Sequence, residues 1–115
     1  MIGLALTLLL IGSHTPAGNR PPALIGHWRV EGGSASLTLC RNGIVTYEAS
    51  DEERHGHWHV RRSELLIRFD YSRTRRFRFR LSGDTLTVRN LAKGPAHPMK
   101  RADRGWRETD ECNVH

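Results

Sequence analysis

The chain contains 115 residues, of which 37% are hydrophobic and 26% are charged, and its formal net charge is +6 at pH 7. A chain of this length builds one small domain with a modest core. Size therefore excludes a multidomain enzyme, a nucleotide-binding α/β fold and a membrane channel.

The first segment, residues 1–17, has the pattern of a secretory signal peptide. Its run from Met1 to Ile11 is almost entirely apolar, but it is shorter than the roughly 20 residues of a membrane-spanning helix. Small residues follow, and we expect cleavage after Ala17, although no Lys or Arg precedes the run. No cysteine directly follows the run, where a lipid anchor would be attached. We therefore expect an exported protein, periplasmic or extracellular, without a transmembrane anchor and with a linker at residues 18–25.

Two cysteines, Cys40 and Cys112, remain after this cleavage. In an exported protein an even number of cysteines indicates a disulfide. Closing a loop of about 70 residues would stabilise the fold by roughly 4 kcal/mol. Cys40 is out of phase with the apolar Leu37 and Leu39, so we expect its thiol to point outward, where a wrapping tail presents Cys112. The wide spacing does not suggest a zinc site or a redox pair.

The middle of the chain predicts an all-β domain. Apolar and polar residues alternate in seven short runs, which contain Trp28, Leu37, Val45, Trp58, Ile67, Phe79 and Leu86. Asn42-Gly43 and Ser82-Gly83-Asp84 separate neighbouring runs and suit tight hairpin turns. We expect an antiparallel meander of about seven to eight strands over residues 26–91, closed into a small barrel or roll.

The residues beyond this meander lose the alternation. Residues 93–98 are predicted to form a loop, within a charged and irregular tail over residues 92–115 that is tied back to the barrel. Trp106 is the one place where we expect the tail to add a strand. Within the meander, Gly26-His27-Trp28-Arg29-Val30 recurs as Gly56-His57-Trp58-His59-Val60, which suggests that one hairpin-sized unit is used twice.

A strand that opens with Gly-x-Trp, followed by Asn-Gly-Ile-Val-Thr-Tyr, Gly-His-Trp-His-Val and Phe-Arg-Phe-Arg-Leu-Ser-Gly-Asp, resembles the small bacterial lipocalin-like (calycin-type) domains of exported proteins. The resemblance covers residues 24–91. It implies a barrel in which Trp28 packs across one end against a late arginine, for which Arg101, Arg104 and Arg107 are candidates, and in which Trp58 also lies in the core. A barrel this short is expected to fill itself with its own side chains.

Three histidines on the fourth apolar–polar run form the first candidate site. His55, His57 and His59 point to one side of a strand, and imidazoles at this spacing can bind Zn²⁺, Cu²⁺ or Ni²⁺. His27 occupies the equivalent place in the first repeat and is a candidate fourth ligand. However, three ligands in line on one strand are poorly placed for tetrahedral coordination of a metal ion. The alternative interpretation is that these histidines belong to a strand face exposed to solvent.

Arginines that alternate with inward-facing phenylalanines form the second candidate site. We expect an outward ladder on one strand with further arginines on its neighbours, and this set comprises Arg68, Arg76, Arg78, Arg80 and Arg89. The charge points to an acidic protein or an anionic envelope polymer as partner. Phe77 and Phe79 on the core side leave no stacking platform, which argues against nucleic acid. The alternative is a charged surface that discourages aggregation.

No enzyme signature accompanies these features. The sequence contains no Gly-x-Ser-x-Gly elbow, His-Glu-x-x-His motif or glycine-rich phosphate loop. We therefore expect a non-enzymatic exported binding or interaction module without a cofactor. The alternatives are an inhibitor or immunity protein against a secreted enzyme, by architectural analogy, and a metal-binding protein that uses the histidine triplet.

Overall fold

The computed structural model describes residues 19–92, 94–103 and 105–107, together with Cys112. The predicted signal peptide, residues 1–17, lies outside the described residues. So does Arg104, one of the three arginines considered as a partner for Trp28. Within the described part, no helix is long and apolar enough to cross a membrane.

The described residues form a closed antiparallel barrel of eight strands. A short 3-10 helix, Pro22–Leu24, precedes β1 (Gly26–Val30), β2 (Ser36–Leu39), β3 (Ile44–Ala49), β4 (Glu52–Arg61), β5 (Glu64–Phe69), β6 (Thr74–Ser82), β7 (Thr85–Asn90) and β8 (His97–Arg101). Each strand pairs with the next along the chain, and β8 pairs with β1 to close the barrel. The predicted all-β meander is confirmed.

Tight turns hold the register of the hairpins. At the β2–β3 turn, Gly43 has φ 95° and its N–H donates to the Cys40 carbonyl over 3.0 Å. The Asn42 side-chain oxygen accepts from the Ile44 N–H at 3.1 Å, so the asparagine stabilises the turn that it predicts. The β4–β5 turn carries Arg62 and Ser63 at φ 54° and 67°, which suits the right-handed twist of its flanking strands.

The barrel extends beyond its predicted boundary at residue 91. Strand β8 begins at His97, within the segment predicted to be a loop, and pairs with β7 on one side and with β1 on the other. Its only buried side chain is Met99, so the strand carries almost no apolar alternation. Backbone pairing on two sides holds it in place instead. Trp106, where an extra strand was expected, lies outside any strand.

The core contains the inward-facing residues that alternation predicts. Trp28 and Trp58 are both fully buried, and each indole is hydrogen-bonded. The Trp28 Nε1–H donates to the Leu24 carbonyl at 3.0 Å, and the Trp58 Nε1–H donates to the Cys40 carbonyl at 2.8 Å. Both of the largest side chains therefore fill the same end of the barrel, where the β2–β3 turn and the 3-10 helix lie.

The glycines that open the two repeats are places of close approach. A Cβ atom on Gly56 would stand 2.6 Å from the Phe69 Cα on β5, which is closer than real Cβ contacts. A Cβ atom on Gly26 would stand 2.5 Å from Arg101 Nη1. Each copy of the repeat therefore needs a small residue two positions before its core tryptophan.

The predicted disulfide between Cys40 and Cys112 is present, with a Cα–Cα distance of 5.8 Å. Cys40 follows the outward phase of β2, as expected, but it is buried rather than exposed. The outer face of β2 is covered, since Ser36 and Thr38 are buried as well. The Asn42 amide donates to the Cys112 carbonyl at 3.0 Å, so the tail is also fixed by a hydrogen bond.

Candidate functional site

One end of the barrel is closed by the chain before β1. The Asn19 backbone pairs with Val60 on β4, and the Arg20 Nε–H donates to the Trp58 carbonyl at 3.0 Å. The 3-10 helix follows, and its Leu24 side chain is buried in the core. The segment predicted as a linker therefore packs across this end of the barrel, which we call the closed end.

Arg101, among the three candidate arginines, is the one that covers Trp28. Its guanidinium carbon stands 4.3 Å from the centre of the Trp28 ring. Nη2 donates to the Ala23 carbonyl at 2.7 Å, while Nη1 donates to the Ile25 carbonyl and to Asp103, both at 3.0 Å. The Asp103 carboxylate also accepts from the His27 N–H, so it connects this arginine to β1. Arg107 is exposed and takes no part in this cluster.

The opposite end of the barrel opens into a cavity of about 630 Å³. Its walls are mainly apolar and include Leu37, Tyr47, Leu65, Ile67, Phe69, Phe77, Val88 and Met99. The expectation that the barrel fills itself is therefore wrong. Both core tryptophans lie at the closed end, and the inward positions of the open half carry smaller or half-buried side chains that leave space between them.

The rim of this cavity is polar and carries two cations. Arg54 and Arg75 both follow the inward phase of their strands and line the cavity, together with Glu52 and Asn90. The Arg54 guanidinium stands 5.1 Å from the centre of the Phe69 ring, 3.6 Å from Glu52 Oε2 and 3.2 Å from the Ser72 hydroxyl. Within the described chain no partner contacts the Arg75 guanidinium. Arg75 was not among the predicted site residues, although it shares its phase with Phe77.

The outward arginines predicted from the sequence do share one surface. Their strands β5, β6 and β7 are neighbours, and Arg78 on β6 pairs directly with Arg89 on β7. We call the set the arginine face, which comprises Arg68, Arg76, Arg78, Arg80 and Arg89, all of them exposed. The structure thus brings together all five residues that the sequence singled out.

One carboxylate, Glu64 on β5, lies within the arginine face. It is directly opposite Arg78 in the register, but it is held by Arg76, which donates from Nε and Nη2 over 2.9 and 3.0 Å. This hydrogen bond lowers the pKa of Glu64, so the carboxylate stays charged and engaged. Among the described residues, no acidic side chain pairs with Arg78, Arg80 or Arg89.

The histidines lie on one face of β4 but are used separately. His55 contacts the Thr46 hydroxyl at 3.1 Å and Glu53 at 3.0 Å. Desolvation, with the charges of Arg20 and Arg61, lowers the pKa of His59. His27 lies on β1, and its ring contacts the Thr38 hydroxyl on β2 at 2.8 Å. Two strands separate it from β4. In the described part of the chain, no three His, Cys, Asp or Glu side chains form a group suited to a metal ion.

Comparisons with protein-family models, with curated proteins and with solved structures find no match to this chain. Its fold alone defines its class, which is a small antiparallel β-barrel of eight strands compatible with a lipocalin-like fold. Two surfaces of this barrel are suited to binding: the arginine face on its outside and the cavity at its open end.

Proposed function

We propose that this chain is an exported, lipocalin-like, non-enzymatic binding module that engages an anionic macromolecule through the arginine face. The observation that carries the proposal is the pairing of Arg78 with Arg89 while the adjacent Glu64 is held by Arg76. Like charges directly opposite on a sheet are destabilising. A partner that supplies anionic groups at this point would relieve the repulsion.

The closed topology weakens the alternative explanation for these arginines. Charged residues on an edge strand protect a sheet from pairing with another chain. Strand β6, which carries Arg76, Arg78 and Arg80, has β5 on one side and β7 on the other. It is therefore an interior strand with no edge to protect, and the concentration of charge there supports a role in binding.

The arrangement favours a polyanionic polymer of the cell envelope as partner. Residues two apart on a strand stand about 6.5–7 Å from each other, so the β6 arginines form an evenly spaced cationic line. A polymer with an anionic group on each repeating unit can meet several of these charges at once. Phe77 and Phe79 face the interior and are half-buried, so they supply no outer platform on which bases could stack.

Binding to a polyanion column tests this proposal while the Arg76–Glu64 pair is kept. The face variant is Arg78→Gln, Arg80→Gln and Arg89→Gln, and it removes three cations without known partners. We expect it to elute from immobilised heparin or lipopolysaccharide at much lower salt than the unchanged protein. The magnitude of the slope of log affinity against log salt should fall by about two to three, at roughly 0.7–0.9 per lost contact.

A control variant with the same net charge separates the arginine face from charge in general. Arg29→Gln, Lys100→Gln and Arg107→Gln remove three exposed cations that lie outside the arginine face. We expect this control to elute close to the unchanged protein. Equal losses in the two variants, or no loss in the face variant, would contradict the proposal. A preference for single-stranded DNA over envelope polymers would contradict the partner class.

The inhibitor alternative is favoured by one observation at the β5–β6 turn. Tyr71 is fully exposed and has φ 64°, a conformation that a tyrosine adopts only when its surroundings impose it. An exposed aromatic residue on a constrained loop suits insertion into a protein partner. Such an inhibitor would lose its inhibition of the target enzyme on Tyr71→Ser, would keep it in the face variant, and would show weak salt dependence.

A further inference from the structure

A groove beside the start of β6 is a further candidate site, and it shares only Arg76 with the arginine face. It measures about 640 Å³ and lies between residues 72–76 and residues 90–92. We propose that this groove binds a phosphomonoester group, held by the guanidinium groups of Arg73 and Arg75. The proposal does not rest on polymer binding by the arginine face, because the three arginines removed in the face variant do not line the groove.

The groove exists because β6 begins before its pairing with β7 does. Strand β6 starts at Thr74, whereas the register with β7 begins at Phe77, opposite Asn90. One more hydrogen bond, from the Leu91 N–H to the Arg76 carbonyl over 3.0 Å, connects the two segments. The lining contains none of the apolar side chains that line the interior cavity, so the groove is a polar site in its own right.

The lining carries cations without a compensating acid. Arg73, Arg75 and Arg76 line the groove, and no described Asp or Glu does; Asp70, in the same turn, lies outside the lining. Arg76 is held by Glu64. Within the described chain no residue contacts the guanidinium of Arg73 or that of Arg75, and both side chains are exposed. The groove therefore offers two guanidinium groups that attract an anion.

The neutral side chains of the lining add hydrogen-bond donors. The Asn90 side-chain oxygen already accepts from the Ala92 N–H at 2.7 Å, so its amide nitrogen is the group left to donate to a ligand. The Ser72 hydroxyl accepts from Arg54 Nη2 at 3.2 Å, and its own hydrogen can point to a ligand. Thr74 supplies a second hydroxyl. Donors thus come from both walls of the groove.

This donor set suits a phosphomonoester better than a carboxylate. A phosphomonoester presents three acceptor oxygens and close to two negative charges at pH 7, so it can engage two guanidinium groups at once. Arginine also matches phosphate through two parallel hydrogen bonds, which lysine cannot make. The chain uses arginine almost exclusively, since Lys93 and Lys100 are the only lysines among its 18 Lys and Arg residues.

An NMR titration with methyl phosphate tests for the site. We expect saturable binding of one molecule per chain, with the largest shifts at the side-chain N–H signals of Arg73 and Arg75, and weaker binding of acetate. Arg73→Gln and Arg75→Gln should each weaken methyl phosphate binding roughly fivefold, the loss of one charge-assisted contact. Arg80→Gln removes the same charge at the far end of β6 and should leave affinity unchanged. The spectrum of each variant verifies that the barrel is folded.

Two comparisons separate this site from the arginine face and identify the source of the phosphate group. The face variant should bind methyl phosphate as the unchanged protein does. If the group is the end of an envelope polymer, phosphatase treatment of lipopolysaccharide should weaken its binding to the unchanged protein but not to Arg73→Gln. If it belongs to a small phosphate ester, the treatment should have no effect while methyl phosphate still binds.

Four results would overturn the proposal. They are absence of saturable shifts, unchanged affinity in both Arg73→Gln and Arg75→Gln, an equal loss in Arg80→Gln, and equal affinity for acetate and methyl phosphate. None of them would bear on polymer binding by the arginine face.

Discussion

Replacement of Arg101 by alanine should lower the free energy of unfolding, because Arg101 holds the closed end of the barrel together. The guanidinium stands over the buried Trp28 ring and donates to the carbonyl of Ala23 within the 3-10 helix and to that of Ile25 just after it. The side chain is three-quarters buried, so these contacts are largely shielded from water. Without Arg101, neither carbonyl keeps that donor and the indole loses its cover.

The expected loss follows from these contacts. A cation over an indole contributes about 0.5–2 kcal/mol, and each hydrogen bond to a charged donor about 1.5–3 kcal/mol when it is measured alone. The contacts share one side chain, and fixing its rotamers on folding costs up to about 2 kcal/mol. The alanine variant does not pay this entropic cost, so the net loss is smaller than the sum of the contacts. Asp103 still accepts from the His27 N–H, so it is not left without a donor. We expect Arg101→Ala to lower the free energy of unfolding by about 3–4 kcal/mol.

Urea denaturation followed by tryptophan fluorescence measures this change. Arg101→Lys keeps the charge but loses the planar fork that reaches two carbonyls, so it should recover no more than about half of the loss. Arg89→Ala removes an exposed arginine without a described partner and should change stability by less than about 0.5 kcal/mol. A loss below about 1 kcal/mol for Arg101→Ala, or full recovery with lysine, would refute this account of the closed end.

Three further predictions concern other parts of the barrel. Gly56→Ala should destabilise by more than about 3 kcal/mol because its Cβ would meet the β5 backbone, whereas Gly33→Ala has room and should change little by the same denaturation. Replacement of Cys40 and Cys112 by serine should lower the unfolding free energy by about 4 kcal/mol, because the disulfide closes a loop of 72 residues; an unchanged midpoint would contradict this. Burial, together with nearby arginines, lowers the pKa of His59 from its ordinary value of 6.5. As the pH falls, His59 is therefore protonated more readily in the unfolded chain than in the folded chain. Stability should therefore fall as pH drops below about 6.5, and His59→Gln should reduce that fall.

Much of the barrel could be predicted from residues close together in the chain. Alternation at Leu65, Ile67 and Phe69 identifies which side chains face the core, because successive side chains of a strand point to opposite faces. Asn42-Gly43 predicts a hairpin because glycine adopts the positive φ that the turn requires. The same alternation places Arg76, Arg78 and Arg80 of β6 on the outside, which the structure confirms.

Other features depended on residues that are distant in sequence. Strand β8 has little apolar pattern and exists because β7 and β1 offer backbone groups on both sides, and that pairing arises only when the barrel closes. The choice of Arg101 to cover Trp28 likewise follows from the position of β8 beside β1.

The sequence by itself determined the first seven strands, their inward and outward faces and the pairing of its two cysteines, because these follow from a local period of two and from simple counting. Tertiary structure alone decided the cavity and its rim, because empty space depends on where large side chains meet across the barrel. Both tryptophans occupy the closed end, and the smaller residues of the other half leave space open beside Arg54 and Arg75. No local pattern specifies that distribution of volume.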